Sequence, residues 1–284
     1  MIPLTQLKKD GQFNSDFTKI VDTLRGMAAA RFRVLERQLA LFEPYDKATA
    51  ALLDGVDLRQ VDHPFVQPRT EAVGVVMVTS DEGFLGGLNS QVVERGLREG
   101  GPGGVLTVIG EQGTHVLQEL QYGATAFPGI DDASRLNCAL TVRDHVVRQV
   151  LTGACGPLLV VYPRPLSFSI QEVRVERLLP CTAWASRKQA QDALKEVCWE
   201  SDPADVVEYV VMGWIGHRLD EIFALSRLSE LGARMVHLEG SYQELVRLGK
   251  KLRLQYLRVR HEMIDRSIRE ISSAQLLVGK SHAR

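Results

Sequence analysis

The last quarter of the chain carries an uninterrupted apolar repeat whose members are alternately four and three residues apart. No proline follows Pro203, so nothing beyond it forbids a single helix. A spacing that averages about 3.5 residues keeps one apolar seam on one face of a left-handed supercoiled helix. The pattern therefore predicts one long helix over residues 204–278, with a long helix of an ordinary soluble bundle as the alternative. The seam comprises Ala224, Leu228, Leu231, Met235, Leu238, Tyr242, Leu245, Gly249, Leu252, Tyr256, Val259 and Met263.

A second helical stretch, at residues 16–54, has an apolar stripe in the same frame and could pair with this helix. Asn14 or Ser15 is the expected cap of its start, and Pro44 predicts a kink or break. The small side chains of residues 28–30 would let a partner helix approach closely. The predicted stripe comprises Ile20, Leu24, Met27, Val34, Leu41, Ala48 and Leu52, interrupted by Arg31, Gln38 and Tyr45.

The intervening residues alternate between strand-like and helix-like patterns, which is typical of βαβ units with a largely parallel sheet. We expect strands at 73–78, 105–109, 158–162 and 170–178, and helices at 91–98, 112–120 and 133–151. The predicted fold class is α/β, an antiparallel coiled coil of the N- and C-terminal helices with an inserted Rossmann-like α/β domain. The expected layout is an N-terminal helix (1–54), a linker (55–71), the α/β domain (72–180), a second linker (181–203) and the C-terminal helix (204–284).

Composition excludes several classes of protein. A net charge of −1 argues against a general nucleic-acid binder. No apolar run approaches the length of a membrane span, and the first 30 residues lack a signal-peptide core, so we expect the chain to stay where it is made. Neither the four cysteines nor the seven histidines have the spacing of a metal site,, and we expect reduced thiols and no cofactor.

The segment most like an enzyme site is the glycine-rich turn Thr79–Ser90, which follows a predicted strand and opens a predicted helix. Phosphates bind at such positions in α/β folds. The turn lacks the residue order of a nucleotide-binding motif, and Asp81 and Glu82 would repel a phosphate. A plain strand-to-helix turn with Asn89 or Ser90 as the helix cap is the other interpretation. Asp131 and Asp132 read as a loop before a helix start rather than a catalytic pair.

A run of six basic residues without an acidic one lies between Leu245 and His261, and we call it the basic collar. It fits either an ordinary solvated helix face or a surface that meets an acidic partner. Its members are Arg247, Lys250, Lys251, Arg253, Arg258 and Arg260.

Four segments together resemble the gamma subunit of F-type ATP synthases. The stretch from Thr18 to Arg31 is similar to the family's T-x-K-I-T-x-A-M-x-M-V-A-A-A-K helix, and Ser80–Asn89 to its S-D-K/R-G-L-C-G-G-L-N turn. Val161 to Pro180 matches its V-Y-N-x-F-x-S…Q…L-L-P region. Ser229 to Ile271 contains its S-E-x-x-A-R-M and R-Q-A-x-I-T-x-E-I-x-E-I ends. The order and spacing hold over 18–275.

The chain departs from the family's pattern at the helical ends. A short, partly acidic segment precedes Thr18 where the family has a basic lead, and His261 and Asp265 replace the Gln and Thr of the last motif. These departures indicate a divergent lineage, such as an alternative F-type pump.

The resemblance implies a non-catalytic rotor shaft, present once per complex on the cytoplasmic side of a bacterial plasma membrane. Its implied partners are a hexamer of alpha- and beta-type ATPase subunits, an epsilon-type subunit and the membrane c-ring, with no nucleic acid. A flavodoxin-like nucleotide-binding enzyme and a non-motor coiled-coil scaffold are the alternatives. The residues that we expect at partner contacts are Lys19, Arg31, Arg234, Arg253, Arg258, Arg260 and Glu270.

Overall fold

A computed structural model describes residues 3–39, 42, 61–181 and 202–281. By contacts the chain divides into two compact units. We call Met1–Met27 with His237–Arg284 the terminal unit, and Ala28–Val236 the central unit. The described elements are α1 (Leu4–Leu39), β1 (Gly74–Val78), α2 (Leu88–Gly100), β2 (Val105–Ile109), α3 (Glu111–Glu119), β3 (Thr125–Phe127), α4 (Arg135–Leu151), β4 (Leu158–Pro165), β5 (Gln171–Leu179) and α5 (Pro203–Ser281).

The central unit contains one five-stranded sheet in the order β3-β2-β1-β4-β5. The pairs β1–β2, β1–β4 and β2–β3 are parallel, and β4–β5 is antiparallel. All five residues of β1 are buried, as expected for a central strand of a parallel sheet with both faces covered. The four predicted strands are present, whereas the three-residue β3 was not predicted.

Two apolar cores cover the two faces of the sheet. Val76 and Val78 of β1 face a core that includes residues of α4 and of α5. Val75 and Met77, the alternate residues of the same strand, face a smaller core with α2 and α3. Gly96 of α2 allows this second contact, because a Cβ there would lie 2.4 Å from the sulfur of Met77.

A third core in the central unit joins the C-terminal part of α1 to α5. Ala28, Phe32 and Leu35 of α1 are buried with three seam residues of α5, Ala224, Leu228 and Leu231.

In the terminal unit, α1 and α5 form an antiparallel pair. The side-chain amide of Asn14 donates to the carbonyl of Leu245 at 3.0 Å, and Arg25 contacts Glu239. As the residue number rises along α1, its partner's number falls along α5. The pairing of the two terminal helices around an inserted α/β domain confirms the predicted fold class.

The structure confirms the seam predicted on α5 and corrects the one predicted on α1. From Ala224 to Val259 every seam residue of α5 is buried or half-buried, and Met263 is exposed. The first four residues of the predicted stripe are instead exposed, at 56% for Ile20, 43% for Leu24, 50% for Met27 and 61% for Val34. The other three, Leu41, Ala48 and Leu52, lie outside the described residues. The buried stripe lies one residue further along and includes Leu7, Asn14, Val21, Ala28 and Leu35.

The start of α1 also differs from the prediction. The helix begins at Leu4, so Asn14 and Ser15 lie inside it and do not cap it. Because Leu7 and Asn14 are buried, tertiary packing extends the helix beyond the predicted start. The predicted kink at Pro44, and the parts of the predicted linkers at 55–60 and 182–201, lie outside the described residues.

None of the helices, over the residues that the structure describes, combines the length and apolarity needed to cross a bilayer.

Candidate interaction surfaces

The glycine-rich turn after β1 is held by its own side chains. The Thr79 hydroxyl donates to the carbonyl of Ile109 at 2.6 Å and accepts from the amide of Gly113 at 3.0 Å. Asn89 donates to the Ser80 hydroxyl at 2.9 Å and accepts from the Ser80 amide at 3.3 Å. The polar side chains at the end of β1 therefore fasten the turn to β2, α2 and α3.

Asp81 occupies the position at which an anionic ligand could meet helix α3. Its carboxylate accepts from the amide of Glu111, the first residue of that helix, at 2.9 Å. Helix N-termini attract anions, and here the chain's own carboxylate fills the place of a phosphate. Gly129 lies against Asp81, because a Cβ at this glycine would come within 2.4 Å of both carboxylate oxygens. This geometry favours the plain-turn interpretation over nucleotide binding.

The predicted caps of α2 are wrong. The residue before the helix is Gly87, and no side-chain hydrogen bond caps the start. Asn89 lies within the helix, where its amide binds Ser80 instead.

Among the described residues of the central unit, four ion pairs join α5 to residues 72–180 of the α/β domain. Each joins a residue of α5 to a different segment of that domain. The pairs are Arg218–Glu176 at 2.6 Å, Asp220–Arg135 at 2.8 Å, Arg227–Asp132 at 3.7 Å and Arg234–Glu82 at 2.9 Å. They place charges on α5 between residues 218 and 234.

One of these enclosed pairs is Arg218 with Glu176 of β5. Their side chains are 16% and 18% exposed, and the Tyr162 hydroxyl also donates to Glu176 at 2.9 Å. Burial alone would raise the pKa of Glu176, but the hydrogen bonds and charge of Arg218 hold that pKa below its usual range. Burial, with the adjacent charge of Glu176, raises the pKa of Tyr162. The arrangement therefore keeps Glu176 ionised and Tyr162 neutral.

A second buried cluster surrounds Arg234, one of the predicted contact residues. Glu230 lies between two arginines, with Arg227 at 2.6 Å on one side and Arg234 at 2.6 Å on the other. The three side chains are 12% exposed or less. The sequence analysis did not predict that Arg227 and Glu230 belong to this buried cluster. The seven-residue spacing of Asp220, Arg227 and Arg234 beside the apolar seam could have indicated that Arg227 lies on the same face as Arg234.

The remaining predicted contact residues lie on exposed helix surface. Arg31 belongs to the central unit, whereas Lys19, Arg253, Arg258, Arg260 and Glu270 belong to the terminal unit. Lys19 forms an ion pair with Asp16 at 3.3 Å, and Glu270 with Arg266 at 2.9 Å. Lys19 and Arg253 line the same groove between α1 and α5.

The basic collar is exposed to solvent in the terminal unit. Arg247 pairs with Glu244 at 2.7 Å. Within the described part of the chain, no ion pair neutralises Lys250, Lys251, Arg253, Arg258 or Arg260. The collar is therefore a patch of largely uncompensated positive charge.

Three of the four cysteines lie in the part of the chain that the structure describes. Cys138, Cys155 and Cys181 are free, and Cys198 lies outside the described residues. Burial raises the pKa of Cys181 to about 12. Among the residues with described positions, no group of three or more His, Cys, Asp or Glu side chains could hold a metal ion.

Comparison with known proteins gives a consistent result over nearly the whole chain. A family model described as ATP synthase matches residues 6–275. The ATP synthase gamma chain of Chlorobaculum tepidum is 26% identical over 268 residues, which span 89% of this chain and 91% of the relative. The ATP synthase gamma chain of Thiobacillus denitrificans is 27% identical over 267 residues, with the same coverage.

Solved structures share the fold. A chain of the Euglena gracilis mitochondrial ATP synthase, in an OSCP/F1/c-ring structure, has a TM-score of 0.68 at 17% identity and covers 97% of this chain and 94% of its own. A chain from the central stalk and c-ring of the Tetrahymena thermophila mitochondrial ATP synthase has a TM-score of 0.58 at 16% identity. It covers 78% of this chain and 99% of its own. At these identities the likeness concerns the fold.

Proposed function

Because this chain belongs to the ATP synthase gamma family, we propose that it is the central rotor shaft of a rotary F1Fo ATP synthase or ATPase. The shaft couples ion flow through the membrane ring to ATP synthesis or hydrolysis in the catalytic head. The match of the family model over residues 6–275 carries this proposal. The antiparallel pairing of α1 with α5 supports it, because two paired helices resist bending better than one.

The proposed partners are a surrounding hexamer of alpha- and beta-type subunits, and an epsilon-type subunit and c-ring beside the α/β domain, with one copy of this chain per complex. Two features of the terminal unit support a surrounding partner. Five apolar residues on one face of α1 are exposed, and the basic collar of α5 is largely unpaired. A surface of this kind is typical of a protein interface. The five residues are Phe13, Phe17, Ile20, Leu24 and Met27.

We assign no catalysis to this chain. In the proposed complex the nucleotides bind to the hexamer, and the occupied α3 N-terminus at Asp81 agrees with that assignment. The chain would act at the cytoplasmic face of a bacterial plasma membrane as a peripheral subunit, in keeping with its bacterial relatives.

Coupling requires that the shaft contact the catalytic sites unequally. A rotor position can change the nucleotide affinity of a site only through contacts that differ between the states of that site. We propose that Lys19, Arg31, Arg234, Arg253, Arg258, Arg260 and Glu270 contribute to these contacts. Arg234 would act indirectly, since its guanidinium is buried against Glu230 and Glu82.

The first test is a pull-down of the tagged full chain from its native host, with companions identified by mass spectrometry. Recovery of an ATPase hexamer in stoichiometric amount, with a small epsilon-like subunit, is the expected result. Recovery of the chain alone, or with unrelated proteins, would overturn the rotor proposal.

The second test addresses coupling in the assembled complex. Arg260→Glu reverses one collar charge, and Arg98→Glu reverses an exposed charge on α2 as the matched control. We expect Arg260→Glu to lower the ratio of ATP-driven ion pumping to ATP hydrolysis in vesicles while subunit content stays normal. The control should leave that ratio unchanged. An unchanged ratio in Arg260→Glu would remove this residue from the contact set.

A further inference from the structure

A groove of about 620 Å³ lies between α1 and α5 in the terminal unit. Two glycines of the facing helices help to form it. The position that a Cβ would take at Gly11 has no atom within 4 Å, and a Cβ at Gly249 would lie 2.9 Å from the Asn14 amide nitrogen. Side chains at both positions would otherwise fill the seam. The volume lies in the usual range of sites for small organic ligands, about 300–1,000 Å³.

The groove has a buried polar group with unmet hydrogen-bonding capacity. Asn14 lines the groove and is 6% exposed. Its amide nitrogen donates to the carbonyl of Leu245, but its Oδ1 is buried and has no hydrogen-bond partner. A buried acceptor that lacks a partner destabilises the folded chain. A bound molecule that brings an N–H or O–H group would satisfy this oxygen once the Asn14 side chain turns to expose it to the groove.

The charged residues that line the groove are all basic, and one of them, Lys19, is paired with Asp16 outside the lining. Lys8, Lys19 and Arg253 line it, and no lining residue carries a carboxylate. The walls between these cations are largely apolar, with Leu252 and Tyr256 among them. A complementary ligand would combine an apolar body, a hydrogen-bond donor and an anionic end.

We propose that this groove is a binding site for a small amphipathic organic anion, such as an aromatic or long-chain acid that carries a donor group. The apolar body lies along the leucine and tyrosine side chains, the donor reaches Asn14, and the anionic end meets the cations. The inference goes beyond the rotor role, because it concerns a groove formed within this chain alone. Lys19 and Arg253 are also proposed partner contacts, so the inference concerns the chain outside the assembled complex.

The test uses the purified full chain and the dye 1-anilinonaphthalene-8-sulfonate, which has an apolar body, an N–H donor and a sulfonate. We expect saturable binding, seen as a rise in fluorescence. Gly11→Leu should fill the groove and weaken binding about tenfold, the equivalent of about 1.4 kcal/mol. Gly26→Leu is the matched control, because Gly26 is exposed on the same helix and its Cβ position is open. Absence of saturable binding, or equal binding by the Gly11→Leu and Gly26→Leu chains, would overturn the proposal.

A second arm tests the charge preference. Arg253→Gln should weaken binding of the sulfonate dye about threefold, as expected for an exposed charge pair. N-phenyl-1-naphthylamine, which has the same body and donor but no sulfonate, should bind both chains equally. Equal loss for both dyes, or loss for neither, would contradict recognition of an anion. Thermal unfolding of each variant checks that the fold is retained.

Discussion

Arg234 on α5 contacts Glu82 in the turn after β1, with 2.9 Å between the guanidinium nitrogen and the carboxylate oxygen. The contact joins two segments that carry the family resemblance, the glycine-rich turn and the A-R-M helix. The family's pattern has Lys or Arg where this chain has Glu82. A basic side chain there would face Arg234 with a like charge, whereas Glu82 attracts it. The negative charge of Glu82, opposite in sign to that of the family's residue, therefore forms an ion pair within this chain.

A double-mutant cycle of Glu82→Gln and Arg234→Gln should give a coupling energy of about 1 kcal/mol or less, because Glu82 is 60% exposed,. The coupling should decrease as salt is added. Denaturant unfolding of the full chain measures it. Glu94→Gln is the control in place of Glu82→Gln, since Glu94 pairs with Arg98 instead. Zero coupling at low salt would mean that the contact contributes nothing to stability.

The buried frame of α1 can be tested with adjacent residues. Val21→Asp places a charge at a position that is 4% exposed and should lower the free energy of unfolding by about 2–4 kcal/mol,. Ile20→Asp changes a residue that is 56% exposed and should alter stability by about 0.5 kcal/mol or less,. Thermal unfolding followed by circular dichroism distinguishes the two frames. A larger loss for Ile20→Asp would restore the frame predicted from the sequence.

The predicted and the observed apolar stripes of α1 show which part of the fold could not be predicted from the sequence. The central strands were predictable because β1 is apolar along its whole length and buried on both faces,. The choice between Ile20 and Val21 was not, because both lie in apolar stripes with the same period. Burial depends on which stripe lets the helices approach, and the small Ala28 lies in the buried one. The short strand β3 was missed because two of its three residues are exposed.

The charged surface of α5 was predictable from composition, but the contacts of its charged residues were not. Charge counting found the basic collar, which needs only local sequence. The sequence did not predict the ion pair of Arg218 with Glu176, or that Lys19 and Arg253 line one groove. Both depend on tertiary contacts between segments that are distant in the sequence. The sequence predicted that Asp81 would repel a phosphate, but it did not show that this carboxylate accepts a hydrogen bond from the first residue of α3.

Arg218→Met should destabilise the chain by about 3–5 kcal/mol at neutral pH, because it leaves the buried carboxylate of Glu176 unpaired. In the wild-type chain the folded pKa of Glu176 lies below its unfolded value. Its contribution to stability is therefore present above about pH 4.3 and lost as the pH falls through the folded pKa.

The variant should reverse this dependence. Without Arg218, burial would raise the folded pKa of Glu176, so the variant loses stability as the pH rises. The difference between wild type and variant should consequently shrink toward acidic pH. Urea unfolding at pH 7 and pH 4 measures it, with Arg98→Met as an exposed control. A difference that is equal at both pH values would assign the loss to packing rather than to the charge of Glu176.

Asn14→Val should leave the chain equally stable or stabilise it by about 1 kcal/mol, although it removes a hydrogen bond between helices. The substitution eliminates a buried acceptor that has no partner, and buried polar groups often cost stability relative to apolar ones.

A single polar residue in an apolar seam can nonetheless fix the alignment of paired helices. The variant should therefore show a broader distribution of distances between spin labels on α1 and α5, measured by pulsed electron paramagnetic resonance. Thr18→Val, on the same face, is the control and should keep one distance. A loss of more than 1 kcal/mol in Asn14→Val would show that the bond to Leu245 outweighs the cost of burying the amide.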